Sequence, residues 1–393
     1  MRRLDDHRAF LNKVKGKIKA LAISCVFSTM RNDDEVRAAQ IAHEILGEDF
    51  PVSVSSEIGS MGLIERENAT ILNAALTEVA ERFTDGFAQS LKDKGIVNAE
   101  VYLSQNDGTL MTLDNARRYP ILTIACGPTN SIRGASYLTC RDDAIVIDVG
   151  GTTSDFGVLS HGFPRESGVA VDIGGVRTNF RMPDVISIGL GGGSIVREHD
   201  DGTVTVGPDS VGYQITEKAL CFGGDVVTAT DIADRLGKAN VGDPSLTASI
   251  SQEVADKAYA AMREMVEDAM KISSDPIDAI LVGGGAVLLP HDLAGTKSVA
   301  CPEFAGCANA IGSAISKVSG MFEKLVDYEE TGREEALEHA RREAIAAAVR
   351  AGADEATVEI IDSEDVPLAY YPGKTSRIRI KAAGDLRMAQ TEK

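Results

Sequence analysis

Short apolar runs alternate with amphipathic segments through the first part of this 393-residue chain. Residues 20–28 and 98–105 have the composition of strands, whereas residues 33–46 place apolar side chains at helical spacing. Strands and helices that alternate along a sequence usually build one sheet with helices on both faces. The pattern therefore predicts an α/β fold.

A longer helix is predicted at residues 65–91. Its apolar residues step by three or four positions: Leu72, Leu76, Val79, Phe83, Phe87 and Leu91. This spacing is typical of a single apolar stripe, and such a stripe ordinarily faces the core.

Composition and charge exclude several classes of partner. At about 150 residues per domain, the length allows two or three domains. The formal net charge is −19, which argues against nucleic acid and anionic membranes as general partners. No apolar run approaches the ~20 residues that span a bilayer. The six cysteines form no CxxC pair, which is typical of a reducing cytoplasm and does not indicate zinc.

The sharpest chemical signal is the segment 148–155, Asp-Val-Gly-Gly-Thr-Thr-Ser-Asp. A strand ending at Asp148 would turn through Gly150, Gly151, Thr152 and Thr153 into a second strand that begins near Asp155. Glycine N–H groups and threonine hydroxyls can bind phosphate oxygens, and the carboxylates of Asp148 and Asp155 can hold Mg²⁺ through waters. Taken alone, the segment is equally typical of an ordinary glycine hairpin between solvated aspartates.

Three other segments strengthen the phosphate interpretation by their order. Residues 127–135 precede the hairpin, and Gly283, Gly284, Gly285 and then residues 309–314 follow it. Together they resemble the superfamily of actin, heat-shock chaperones and sugar kinases. The resemblance implies a ribonuclease H-like nucleotide-binding fold in which the three glycines hold adenosine. A glycine turn suits this role because the backbone can lie against the nucleoside.

A closer resemblance covers nearly the whole chain, from about residue 21 to 386. It is carried by residues 55–58, 65–74, 105–110, 127–128, 148–155, 174–179 and 189–194. These segments resemble the A-type subunit of the hydantoinase/oxoprolinase family. The resemblance implies use of ATP and Mg²⁺ to open a cyclic amide of the hydantoin or 5-oxoproline class. It also implies a B-type partner subunit, a homo-oligomer, or both.

One departure from the family pattern concerns the N-terminal region. Family members usually begin with a first phosphate hairpin, and this sequence has a single such motif, at Asp148. We therefore expect an N-terminally incomplete fold with an unpaired sheet edge in residues 1–140. The predicted domains are 1–140, 141–326 with the phosphate and adenosine loops, and a small α+β appendage at 327–393.

Two pairs of residues are candidates for substrate binding. Arg177 suits carboxylate recognition and lies near Asn179, although a surface loop with local ion pairs explains them equally well. Gly191 and Gly192 could offer N–H groups to an anion, or could form a flexible glycine turn.

Three functions remain open at this stage. The resemblance favours ATP-dependent ring opening through phosphorylation of the amide carbonyl. An ATP-consuming subunit of an acetone or acetophenone carboxylase is the second interpretation, and bicarbonate dependence of ATP hydrolysis would distinguish it. A nucleotide-binding structural subunit without turnover is the third, and it would bind Mg-ATP without hydrolysing it.

Overall fold

A computed structural model of the chain describes residues 2–59, 62–167, 171–180, 182–270, 276–368 and 373–387. Contacts divide the chain into two compact units. Unit 1 contains Met1–Cys126, Ser167–Met182 and Ser316–Lys393, and unit 2 contains Gly127–Glu166 and Pro183–Ile315. This grouping differs from the three consecutive segments expected from the sequence, because strands far apart in the sequence pair within one unit.

The helices are α1 (Arg2–Val14), α2 (Asp33–Leu46), α3 (Ser55–Ile58), α4 (Leu63–Asp93), α5 (Leu113–Arg118), α6 (Cys126–Thr139), α7 (Ile215–Lys218), α8 (Ala229–Arg235), α9 (Pro244–Thr247), α10 (Gln252–Ala269), α11 (Ala308–Ala314), α12 (Tyr328–Thr331) and α13 (Arg333–Arg350).

The strands are β1 (Leu21–Ile23), β2 (Val52–Val54), β3 (Tyr102–Ser104), β4 (Thr109–Thr112), β5 (Ala144–Val149), β6 (Ser154–Ser160), β7 (Phe163–Pro164), β8 (Val171–Ile173), β9 (Val176–Thr178), β10 (Val185–Ile188), β11 (Ser194–Glu198), β12 (Val204–Ser210), β13 (Ile277–Val282), β14 (Thr296–Ala300), β15 (Lys317–Asp327), β16 (Glu359–Pro367) and β17 (Thr375–Gly384). Helices and strands together confirm a mixed α/β fold.

The main sheet of unit 2 has the order β10-β6-β5-β13-β14, with β7 paired to β6. Strands β13 and β14 run parallel to β5, whereas β6 is antiparallel to it. Side chains of β5 alternate between the two faces. Ile145 and Ile147 pack in one buried cluster with α8 and α10, while Ala144 and Val146 pack in a second cluster with α6 and α11. The sheet is therefore buried on both faces.

Helices α6 and α11 cross at very short range. A Cβ on Gly134 would overlap the backbone carbonyl of Ala308, and a Cβ on Gly312 would overlap that of Asn130. Only glycine allows two backbones to approach this closely. The crossing brings the polar side chains of the two helices close to one end of β5.

The first sheet of unit 1 is a parallel pair, β1 and β2, packed against α4. The buried face of α4 is largely polar: it contains Arg66, Ala69, Thr70, Asn73, Thr77 and Thr84. Val79, Phe83 and Phe87 of the predicted apolar stripe are exposed. The other three stripe residues, Leu72, Leu76 and Leu91, are half-buried, so only part of the stripe faces the core, and polar partners from other segments cover the adjacent face.

The second sheet of unit 1 has the order β16-β17-β15-β4-β3. Apolar residues of β17, such as Ile378 and Ile380, pack against the alanine face of α13. Strand β15 pairs in parallel with β4, with Lys317 opposite Thr109. The C-terminal segment therefore shares a sheet with residues 102–112, whereas the sequence predicts a separate appendage.

Among the described residues, no helix is both long and apolar enough to cross a membrane.

Candidate functional site

The predicted glycine hairpin is present in unit 2. Strands β5 and β6 pair in antiparallel register, with Val149 opposite Ser154. The Gly150 N–H donates to the Thr153 carbonyl (2.9 Å) and closes the turn. The tip, residues 150–153, therefore extends from two strands that are buried in the centre of the sheet.

The two carboxylates predicted for this site face each other across the hairpin. Asp148 of β5 is directly opposite Asp155 of β6, so their side chains lie on the same face of the sheet. The Ser187 hydroxyl of β10 donates to Asp155. Burial raises the pKa of Asp148, and the nearby charge of Asp155 raises it further, while a hydrogen bond with Ser131 opposes both effects. A cation between the carboxylates would relieve this cost.

Two residues that were not predicted from the sequence orient Asp148. The Ser131 side chain of α6 hydrogen-bonds to it. The Asn309 amide of α11 donates to the Gly127 carbonyl (2.8 Å) and to the Ser131 Oγ (3.4 Å). In the sequence, these two residues are visible only as polar positions in two glycine-containing segments. Their connection to Asp148 becomes evident once the crossing of α6 and α11 is known.

The hairpin tip presents unused hydrogen-bond donors. Within the part of the chain that the structure describes, the N–H groups of Gly151, Thr152 and Thr153 have no hydrogen-bond partner, and all three residues are exposed. Successive free N–H groups in a tight turn form a concave site that favours anions. The tip can therefore bind phosphate oxygens next to a pair of carboxylates.

The glycine segment at residues 189–193 supports the tip from one side. Gly192 and Gly193 donate their N–H groups to the carbonyls of Gly150 (3.0 Å) and Gly151 (2.7 Å), and Gly191 donates to the Ser194 Oγ (2.9 Å). The N–H groups of Gly191 and Gly192 are thus engaged within the protein, which fits a glycine turn better than the alternative prediction of free donors for an anion. Their physical role in this structure is to hold the hairpin.

The second glycine turn, Gly283 to Gly285, follows the carboxyl end of β13. Gly283 has a φ of +85°, and a Cβ there would overlap the Asp148 carboxylate and the Val149 carbonyl. Gly285 donates its N–H to the Val149 carbonyl (2.8 Å). Gly284 faces open space. The structure therefore packs this turn against the base of the hairpin.

Arg177 and Asn179 belong to unit 1, where their segment contacts α4. Arg177 Nε lies 3.6 Å from Glu65 Oε1, and its carbonyl accepts from the Asn68 amide (2.9 Å). The Asn179 amide donates to the Gly62 carbonyl (3.2 Å). These contacts join two of the segments that carry the family resemblance, residues 65–74 and 174–179.

Comparison with known proteins gives relatives along most of the chain. An uncharacterised protein of Methanocaldococcus jannaschii is 26% identical over 368 residues, covering 82% of this chain and 53% of that protein. The caprolactamase subunit alpha of Pseudomonas jessenii is 24% identical over 338 residues, covering 77% of this chain and 48% of that subunit. The chain thus spans about half the length of these curated relatives.

Two solved structures share the fold. The crystal structure of the ATP-dependent caprolactamase from Pseudomonas jessenii superposes with a TM-score of 0.75 at 19% identity, covering 98% of this chain and 66% of that one. The nucleotide-free structure of acetone carboxylase gives a TM-score of 0.65 at 18% identity, covering 99% and 68%.

The family model for hydantoinase/oxoprolinase matches residues 66–279, which are more than half of the chain and include the hairpin. The sequence resemblance is thereby confirmed, and the chain belongs to the hydantoinase/oxoprolinase family.

Proposed function

We propose that this chain binds Mg-ATP at the hairpin tip and uses it to open a cyclic amide of the hydantoin or 5-oxoproline class. The observation that carries the proposal is the tip itself. Three N–H groups at residues 151–153, which have no partner among the described residues, adjoin a facing pair of carboxylates, Asp148 and Asp155. This combination suits the polyanionic end of a nucleotide and the cation that accompanies it.

The glycine turn at residues 283–285 supplies the adenosine part of the proposed site. It packs on the base of the hairpin, and Gly284 leaves open space beside it. Parallel strands β5, β13 and β14 end here, and ligands of α/β sheets bind at such carboxyl ends. The arrangement supports an actin-like, ribonuclease H-like nucleotide-binding domain.

The donor set fits Mg²⁺ bound together with phosphate. Among the described residues, no group of three or more His, Cys, Asp or Glu side chains is placed to hold a metal. Mg²⁺ commonly uses one or two carboxylates, several waters and the phosphates of its substrate. Asp148 and Asp155 meet that need, and the metal would neutralise charge on the transferring phosphoryl group.

Phosphorylation would solve the chemical problem of an unstrained lactam. Nitrogen lone-pair donation makes the carbonyl carbon a poor electrophile. When the carbonyl oxygen attacks the γ-phosphorus, ADP leaves and the ring carbon becomes an activated imidate-like centre. Water then adds to that carbon, and the ring C–N bond breaks as the nitrogen takes up a proton, which leaves an acyl phosphate. A second water hydrolyses the acyl phosphate to the carboxylate and inorganic phosphate. Positioning and charge stabilisation are the protein's contribution.

Two side chains of unit 1 would contact the substrate. Arg177 and Asn179 are the side chains proposed to recognise the amide. Gly191 and Gly192 would act through the hairpin that they support.

We further propose that the chain works in the cytoplasm with a B-type subunit, as a homo-oligomer, or both. Its relatives include the alpha subunit of a caprolactamase and the gamma subunit of an acetophenone carboxylase, which supports a partner subunit.

A carboxylase subunit is the second candidate, favoured by the fold shared with acetone carboxylase. The same activated carbonyl chemistry would then act on a ketone with bicarbonate. A nucleotide-binding subunit without turnover is the third.

The functional experiment measures ATP hydrolysis by the full chain, with and without a B-type subunit. Hydantoin, N-methylhydantoin, 5-oxoproline and caprolactam are tested as ring substrates, and acetone with bicarbonate is the competing condition. Stimulation by a ring amide alone supports the proposal. Stimulation that requires ketone and bicarbonate supports the carboxylase. Binding of Mg-ATP by calorimetry without hydrolysis supports the third function, and no binding removes ATP use by this chain.

Asp148→Asn tests the carboxylate pair. We expect ATP hydrolysis to fall by about 100-fold or more. Changing a residue that contacts a metal ligand, and not the metal itself, typically costs about 10–100-fold. The folded-state pKa of Asp148 is raised above its ordinary value of 3.8, so the native state binds this proton more tightly than the unfolded state does. The free energy of unfolding therefore falls as the pH rises from 3.8 through the folded-state pKa. The variant should lack that loss and be more stable than wild type at neutral pH. Asp143→Asn, at an exposed position before β5, is the control, and equal effects of the two changes would contradict the site.

A further inference from the structure

Phe304 combines a strained backbone with an exposed aromatic ring. Among the described residues, four that are not glycine have positive φ: Ala125, Cys140, His161 and Phe304. Phe304 is the one with a large apolar side chain, at φ +66° and ψ +18°, and 62% of it is exposed. The left-handed conformation is unfavourable for a residue with a Cβ.

The loop that carries Phe304 is fixed to the second glycine turn. It follows β14, and the next residue, Ala305, accepts a hydrogen bond from the Gly283 N–H (3.0 Å). Ala305 is itself buried in the cluster that contains Val282 and Ala308. Phe304 is thus held beside the turn at residues 283–285, where β13 and β14 end.

Folding alone does not account for phenylalanine at this position. Glycine would adopt the same backbone conformation without penalty. A single exposed apolar residue is ordinary on a protein surface, so exposure by itself indicates nothing. The informative combination is an unfavourable backbone, an unburied ring and a place at the carboxyl ends of parallel strands, where ligands of α/β sheets bind.

We propose that Phe304 stacks on the purine ring of the bound nucleotide. Aromatic side chains stack on bases through the π-face that every base possesses. Gly284, which faces open space, leaves room for a flat ring system beside the turn. Phe304 thereby recognises the base, while the hairpin tip binds the phosphates. This inference rests on the proposed nucleotide-binding function.

The test compares two ligands of the full chain by calorimetry, Mg-ATP and inorganic tripolyphosphate with Mg²⁺. Phe304→Gly keeps the backbone conformation and removes the ring. We expect it to weaken Mg-ATP binding by about fivefold or more and to change tripolyphosphate binding by less than about twofold. Its thermal midpoint should equal or exceed that of wild type, since glycine relieves the strain. Phe304→Trp should retain ATP affinity.

Tyr137→Ala is the matched control, because Tyr137 of α6 is also 62% exposed and lies outside the proposed site. It should leave both affinities unchanged. The proposal is overturned if Phe304→Gly leaves ATP affinity unchanged or weakens both ligands equally, or if it lowers the thermal midpoint as loss of a packed or partner-covered ring would. Failure of wild type to bind either ligand is a different result, since it overturns the proposed nucleotide function and this inference with it.

Discussion

Two sets of parallel strands in this protein are stabilised by different interiors. In unit 2, β5, β13 and β14 lie between two apolar clusters, one on each face. In unit 1, β1 and β2 contact a small apolar cluster with α1 and α2, and they also adjoin a buried network of polar and charged side chains. The candidate site therefore rests on a sheet with apolar packing on both faces, whereas the smaller sheet combines apolar packing with specific polar partners.

Two buried charged residues connect the polar region in unit 1. Glu35 of α2 accepts from the Cys25 N–H (2.6 Å), the Ser55 hydroxyl (2.6 Å) and the Ser56 N–H (3.0 Å). Arg66 of α4 donates to the Cys25 carbonyl (2.7 Å) and the Ser55 Oγ (3.1 Å). These bonds join the segments that follow β1 and β2. A buried network of this kind specifies geometry only when its members are paired.

The largest effect should come from the apolar region. Phe156 of β6 is fully buried among residues of the first cluster, so Phe156→Ala should lower the free energy of unfolding by ~3–5 kcal/mol. Urea denaturation followed by fluorescence or circular dichroism measures the change. Phe222→Ala, at an exposed position in the same unit, is the control. Equal losses of stability for the two variants would contradict the conclusion that apolar packing stabilises the sheet of unit 2.

The polar region should respond next most strongly. Glu35→Gln keeps the shape of the side chain but replaces one acceptor oxygen by a donor that faces backbone N–H groups. We expect a loss of ~1.5–3 kcal/mol. Glu44→Gln removes a carboxylate from an exposed pair with Arg8 and should leave the free energy of unfolding nearly unchanged, because solvent screens such a pair. If Glu35→Gln proved as mild as its control, the network would not be what stabilises this sheet.

A third prediction concerns the turn that joins the apolar region to the site. Gly283→Ala forces a Cβ into a left-handed residue and against Asp148, so it should cost ~1–3 kcal/mol. Gly284→Ala, where a Cβ meets open space, should change stability by about 0.5 kcal/mol or less. Thermal denaturation of both variants measures the difference. A similar shift for each would contradict the close packing between turn and hairpin.

The smallest effect should come from the apolar stripe of α4. Phe83 is exposed and stacks on Phe87 with ring centroids 6.2 Å apart, so Phe83→Ala should cost about 0.5 kcal/mol or less. Asn73, on the buried polar face, donates to Ser53 (2.9 Å) and to the Arg118 carbonyl (2.9 Å). Asn73→Ala should cost ~1–3 kcal/mol. The reverse order in urea denaturation would mean that the stripe is covered in solution.

Local features were the most predictable from the sequence. The helix predicted at residues 33–46 is α2 with the same bounds, and the hairpin at residues 148–155 has the predicted turn. Both depend on interactions between neighbours in the sequence, namely helical spacing and glycine turn geometry. The same local reasoning located α4 but not its buried face, since periodicity locates an apolar stripe and does not identify what lies beside it.

The sequence by itself determined the alternation of strands and helices, the hairpin with its two aspartates and the family. These follow from short-range patterns in the sequence, namely the spacing of apolar residues and the order of the glycine-containing motifs. Only the tertiary structure decided that Gly192 and Gly193 brace the hairpin, that Ser131 and Asn309 orient Asp148, and that α4 buries its polar face. The reason is that each depends on groups far apart in the chain, whose hydrogen bonds exist only once the backbone has brought them within about 3 Å.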